Sequence, residues 1–267
     1  MERQRVWEID ALRGFLILAV LINHLNATVH AFCINGYYDI DSALWAAISD
    51  PLHVWYTYDA NGVLQSTKWV LVLRDLCTRP AVDTFFVISG ICCMFSRDNM
   101  MRGVKILGAG MLVTLFTFLV EGKNDMIRFG VLHCYGCCQI IYDTLLKKRN
   151  NWILLAVAAV ALALGYYLRY VDISLATPLL YPFGVLESGV SSRDYWPIFP
   201  MLGWFLLGVI FGRIFYPVRR SLVPERWKGE GTHWLQFLGR NSGRIYLGHV
   251  FVYTAVFMGT GWIFDLF

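Results

Sequence analysis

Charged side chains are scarce. There are 23 Lys and Arg and 19 Asp and Glu among 267 residues, 16% of the chain, where an ordinary soluble domain carries about a quarter. A chain of this length folded in water needs a charged coat that this composition does not supply, which excludes a soluble enzyme. The 57% of hydrophobic residues excludes a disordered chain. A net charge of +4 is too small, and its basic residues too one-sided, for nucleic acid as a partner. Internal repeats, low-complexity tracts and a second domain are also lacking, so residues 1–267 read as a single domain. Of seven Cys, Cys77, Cys92, Cys93, Cys134, Cys137 and Cys138 lie in or beside apolar runs. Cys134 and Cys137 have C-x2-C spacing, but on a membrane helix such thiols pack against neighbours, and no metal is expected. Cys33 and Cys77 are both placed outward, without further support for a disulfide.

The apolar runs are what is abundant. Ala11 to Phe32, Pro80 to Phe95, Val104 to Val120, Ile127 to Leu146, Trp152 to Leu168, Pro197 to Phe215 and Ile245 to Phe264 each approach the roughly 20 residues that cross a hydrocarbon core. They predict an all-α polytopic bundle of about seven transmembrane helices, with an eighth crossing or an in-plane helix left open over Lys68 to Leu76. With the N-terminus in the cytoplasm, 15 of the 23 basic residues fall at the inner face and seven outside, Arg13 lying within the first span. The expected setting is a multi-pass protein of the plasma or inner membrane. Arg3 and Arg5 precede the first run as in a signal peptide. However, Glu8, Asp10 and Arg13 interrupt it and Val29-His30-Ala31 is a poor cleavage site, so this span is expected to stay. The link Tyr216 to Gly243 is long for a tight connection, short for a domain, and a candidate site for anions through its basic residues.

Ionisable groups inside spans are expensive and so mark function. Arg13 and His24 are eleven residues apart, which brings them within about 20° of one helix face and about 16 Å apart along the axis, roughly the reach of a pantetheine arm. The alternative is that Arg13 snorkels to the interface and His24 bonds a helix carbonyl. Counting helix rise places His133 at nearly the depth of His24, with Asp83 slightly higher, so that Asp83 would orient a ring and His133 relay a proton. A helix-helix hydrogen bond for His133 and a cap for Asp83 are the structural alternatives. The same counting puts His249 only about 8 Å above the inner surface, grouped with Arg240, Asn241 and Arg244 as a site for phosphate or adenine, or as a basic membrane anchor.

Five blocks, in order along the chain, then carry a resemblance: Trp7 to His24 (WEIDALRGFLILAVLINH), Phe85 to Gly90 (FFVISG), Arg128 to His133 (RFGVLH), Asp194 to Gly203 (DYWPIFPMLG) with Leu207-Gly208, and Leu238 to His249 (LGRNSGRIYLGH). Together they resemble the bacterial heparan-α-glucosaminide N-acetyltransferase-like family of the transmembrane acyltransferase superfamily. The resemblance implies transfer of an acyl group, most simply acetyl, from cytoplasmic acetyl-CoA or another acyl-CoA to a hydroxyl or amine acceptor near the outer face, a sugar among the candidates. It also implies that Arg13 and His24 fall on the superfamily's donor-handling arginine and catalytic histidine. Thr28 and Val250 depart from it, standing where many relatives carry Asp and Gln.

The catalytic set expected is therefore His24, His133 and Asp83, with Arg13, Arg240, Asn241, Arg244 and His249 holding the donor. The outer segment 31–79 is longer than usual. Between Tyr37 and Asp59 it carries four Asp among aromatic residues and no Lys or Arg, which suits a polyhydroxylated or amino-bearing ligand. Asp50, Trp55 and Asp59, with Asp194, are assigned to the acceptor; an interfacial helix anchored by its aromatic rings is the alternative. Expected partners are the bilayer, the acyl-CoA and a small-molecule or glycan acceptor, with a homo-oligomer left open. The rival reading is a proton-coupled transporter or carrier using intramembrane His and Asp. It calls for inverted repeats and paired broken helices, which the chain does not show, although Pro178, Pro182 and Pro200 interrupt it.

Overall fold

The apolar runs fold as helices, in the order the sequence predicts. The computed structural model describes residues 6–29, 79–123, 126–171, 174–175, 178–187 and 194–264. The helices are α1 Trp7–Val29, α2 Arg79–Cys92, α3 Asn99–Glu121, α4 Val131–Ile141, α5 Asn151–Val171, α6 Ile198–Phe215, α7 Thr232–Arg240 and α8 Ser242–Phe264. A π-helical turn, Tyr142–Leu146, continues α4, and a two-residue parallel pairing of Ser174–Leu175 with Leu186–Glu187 brackets a 3-10 turn, Pro178–Phe183. The stretch Tyr216 to Gly243, taken from sequence as a loop, thus contains a helix, α7. Among the described residues Asn99–Val120, Asn151–Val171 and Ile198–Phe215 are long and apolar enough to cross a membrane, and Pro80–Cys92 is a shorter apolar helix. Asp50, Trp55, Asp59 and the segment 31–78 lie outside the described residues.

Contacts divide the chain into two units, Met1–Val6 with Asp83–Pro224, and Trp7–Val82 with Glu225–Phe267. In the first, local capping sets the helix ends. The Asp98 carboxylate accepts from the Met101 N–H at 2.8 Å to start α3, and Asn150 Oδ1 accepts from the Ile153 N–H at 2.9 Å to start α5. The helix at the centre is α6, with 56% of its apolar window buried against 22% for α3 and for α5. Met201, Phe205, Leu206 and Val209 are fully buried. Leu154, Ala158, Ala161 and Gly165 of α5 are buried where α5 packs on α6. Small residues let two backbones approach where lipid removes the hydrophobic drive between helices. Gly208 of α6 takes this furthest, since a Cβ there would overlap the Val87 carbonyl of α2. Leu112, Leu119 and Val160 are 66%, 73% and 64% exposed, an outer surface suited to hydrocarbon.

Among the described residues, the helices packed together in the second unit are α1, α7 and α8. Its α7 runs antiparallel to the first turns of α1, because Gly14 faces the Leu235 carbonyl and Gly239 faces the Asp10 carbonyl. A Cβ on either glycine would overlap the opposing backbone, so this approach depends on both.

Candidate functional site

The α1–α7 contact decides where α8 begins. With Gly239 against Asp10, the next residue, Arg240, pairs through Nε with Asp10 Oδ2 at 3.4 Å and donates from Nη2 to Gln236 Oε1 at 3.2 Å. Asn241 Nδ2 bonds the Phe237 carbonyl at 2.9 Å and closes α7. One residue later α8 starts, and the buried Ser242 hydroxyl accepts from Arg13 Nη2 at 2.8 Å. From this junction α1 and α8 rise in the same direction, tied again where Tyr253 Oη donates to the Leu21 carbonyl at 3.1 Å.

Beyond the first of these ties the two helices bring their histidines together. His24 Nδ1 lies 2.7 Å from His249 Nε2, and the rings tilt 59° with centroids 4.7 Å apart. The other nitrogen of His249, Nδ1, bonds the backbone carbonyl of Tyr246. A carbonyl only accepts, so the proton on this edge belongs to His249 Nδ1, which leaves a lone pair on Nε2 of the neutral ring. His24 must then donate its Nδ1–H to that lone pair, and the basic electron pair of His24 sits on Nε2. Tyr246 and Tyr253 flank the pair, with ring centroids 5.2 and 5.3 Å from His249. The tautomer and orientation of the His24 ring are thus set by a second ring and a main-chain carbonyl.

His249 is the principal correction. Sequence counting placed it near the inner surface with Arg240, Asn241 and Arg244, because the start of the last span was taken as the membrane boundary. The intervening α7 folds back along α1 and starts α8 beside Arg13, and His249 pairs with His24. Arg13 and His24 do share the α1 face turned to α8, as the eleven-residue spacing predicts. Ser242, Tyr246 and Tyr253 were not singled out. Their spacing with His249, at steps of four, three and four, marks one helix face and is legible in the sequence. Arg240 bonds Asp10 and Gln236 from an exposed position, and Arg244 is exposed as well.

His133, Asp83 and Asp194 belong to the other unit. His133 is buried and both ring nitrogens are used locally: Gly130 N–H donates to Nδ1 at 3.2 Å, and Nε2 lies 3.1 Å from Thr114 Oγ1, which itself donates to the Ile127 carbonyl at 2.6 Å. An Nδ1 that accepts makes the ring neutral with its proton on Nε2, donated to Thr114. The Asp194 carboxylate accepts from the Val131 N–H at 3.2 Å and lies against Gly130, so it caps the start of α4. Asp83 is half-buried on α2. His133 and Asp194, expected to relay a proton and to bind acceptor, are thus joined at one helix start. Among the described residues no group of three or more His, Cys, Asp or Glu is placed to hold a metal ion.

A profile of the catalytic region of heparan-alpha-glucosaminide N-acetyltransferase matches residues 51–251, about three quarters of the chain. No curated protein and no solved structure matches. The matched region begins beyond α1, so it includes His133, Arg240 and His249 but not Arg13 or His24. On a match of that extent, joined to apolar helices of membrane-spanning length, the chain belongs to the heparan-alpha-glucosaminide N-acetyltransferase family.

Proposed function

We propose that the protein is a multi-pass acetyltransferase of the plasma or inner membrane that moves an acetyl group from cytoplasmic acetyl-CoA to a hydroxyl or amine acceptor, a sugar among them. The observation that carries this reading is the His24–His249 pair, anchored on the Tyr246 carbonyl. His24 Nε2 takes the proton of the acceptor as the acceptor oxygen or nitrogen attacks the thioester carbonyl. The C–S bond then breaks, and the proton passes to the departing thiolate, returning His24 to its neutral form. Taking up a proton at Nε2 leaves the Nδ1–H bond to His249 in place, so the neutral second ring stabilises the imidazolium without rearrangement. Arg13 and Arg240 act as positioning residues in this scheme, through Ser242 and Asp10. Asp50, Trp55 and Asp59 remain the proposed acceptor contacts.

The test is incubation of purified protein in detergent with acetyl-CoA and candidate sugars, measuring CoA release and acetylated product by mass spectrometry. Acceptor-dependent release is expected; none with any hydroxyl or amine acceptor would remove the reading.

The proposed topology takes seven spans from the apolar runs and a cytoplasmic N-terminus from the basic residues, 15 inside to seven outside. In a variant without native Cys, a cysteine at Arg220 should be shielded from an impermeant thiol reagent in intact cells. One at Ser191 should react. The reverse pattern would invert the topology and put the donor on the wrong side.

A further inference from the structure

The first unit contains a cavity of about 420 Å³ where the α2–α3 link, the π turn after α4 and the end of α6 meet. Four cations line it: Arg97, Lys147, Arg213 and Arg219. Two acids are near, so the cations outnumber the carboxylates by two. Asp143 holds Lys147 at 2.7 Å, and Asp98 caps α3. Arg213 bonds neutral acceptors, the Arg149 and Lys147 carbonyls at 2.7 and 2.8 Å and Asn151 Oδ1 at 3.2 Å, and none of these partners is a carboxylate. Arg97 and Arg219 make no side-chain hydrogen bond or ion pair among the described residues. Arg219 also has φ of +56°, a left-handed conformation unfavourable for a residue with a long side chain and frequent at functional sites.

A second observation asks for a donor. Asn99 lines the same cavity and is 3% exposed, and its Oδ1 has no hydrogen-bond partner. Its orientation is fixed, because Nδ2 donates to the Cys93 carbonyl at 3.3 Å and a flipped amide would set two acceptors face to face. A buried acceptor left unsatisfied costs stability unless something donates to it.

We propose that this cavity binds a phosphate group borne by a ligand with an O–H or N–H beside it. This chemistry is shared by the nucleotide end of acyl-CoA and an anionic lipid headgroup; the first identity rests on the acetyl-transfer reading and the second does not. Full-length protein in detergent is titrated by calorimetry with adenosine 3′,5′-bisphosphate, and lipid retained through purification is read by native mass spectrometry. Arg97→Gln with Arg219→Gln should weaken bisphosphate binding by about tenfold or more, identifying a nucleotide, or strip bound phosphatidylglycerol, identifying a lipid. Arg97→Lys with Arg219→Lys keeps the charge and should retain most of whichever binding is seen, which guards against a misfolded Gln variant. Wild-type protein that binds neither, or binding that the Gln pair leaves unchanged, overturns the proposal. Binding is read without turnover, so absence of acetyl transfer would remove the catalytic reading and leave this one standing.

Discussion

Replacing His24 by alanine should lower acetyl transfer by about 10²- to 10⁴-fold, the usual contribution of a positioned general base. The fold should survive, since α1 remains tied to α8 by Arg13 to Ser242 and by Tyr253 to Leu21. His249→Ala should cost less, about 10- to 100-fold, because it removes the group that orients the base and leaves the base itself. The loss should appear in kcat more than in KM. His249→Gln offers a carbonyl oxygen to the His24 Nδ1–H and should restore part of the rate, and the double alanine variant should be no slower than His24→Ala alone, because the second ring acts through the first. Near-wild-type turnover in His24→Ala, checked by CoA release under saturating donor, would make the pair structural and sink the mechanism.

The largest effect on stability is expected at the α1–α7 contact. Even alanine at Gly239 puts a methyl group into the Asp10 carbonyl, and at Gly14 into the Leu235 carbonyl. Overfilling a site bounded by side chains costs about 1–3 kcal/mol because those side chains can move aside. Here both neighbours are backbone held in helices, so at least about 3 kcal/mol is expected, enough to separate α7 from α1. Because that contact starts α8 where His249 meets His24, activity should fall together with thermal stability in detergent. Gly243→Ala is the control, since a Cβ there meets nothing within 4 Å. A Gly239→Ala protein that melts with wild type would show that the close approach is wrong and the placement of α8 with it.

The helices were largely legible in the sequence because an apolar run fifteen or more residues long has few other ways to satisfy its backbone. The shared face of Arg13 and His24 was legible for a similar reason, since helical period needs no tertiary information. What failed was depth. Counting from the start of the last span treated α7 as loop, and α7 is short and carries Thr232, His233 and Gln236 among its apolar residues, so its periodicity is easily missed. Once it is present, His249 lies beside His24 and Arg240 pairs with Asp10, 230 positions away. For His133 and Asp194 the structure adds local partners that the sequence does not show. Each has the chemistry of a functional residue, but one helix start consumes Gly130, Thr114 and Asp194 at once, and no local pattern joins residues 80 positions apart. Asn99 escaped notice because an asparagine one residue after an N-cap looks like ordinary helix-start chemistry.

The acceptor at the far end of the histidine pair is the main-chain oxygen of Tyr246, a group that every amino acid supplies. The anchor that fixes the tautomers of the two rings is therefore independent of the side chain at position 246. Any residue at position 246 that keeps the helix keeps the proton order, so variation there among related chains would carry no trace of it. Two imidazoles with this anchor can be inherited by conserving only the histidines and the geometry of the first turns of α8, a far lighter genetic load than a third matching acid.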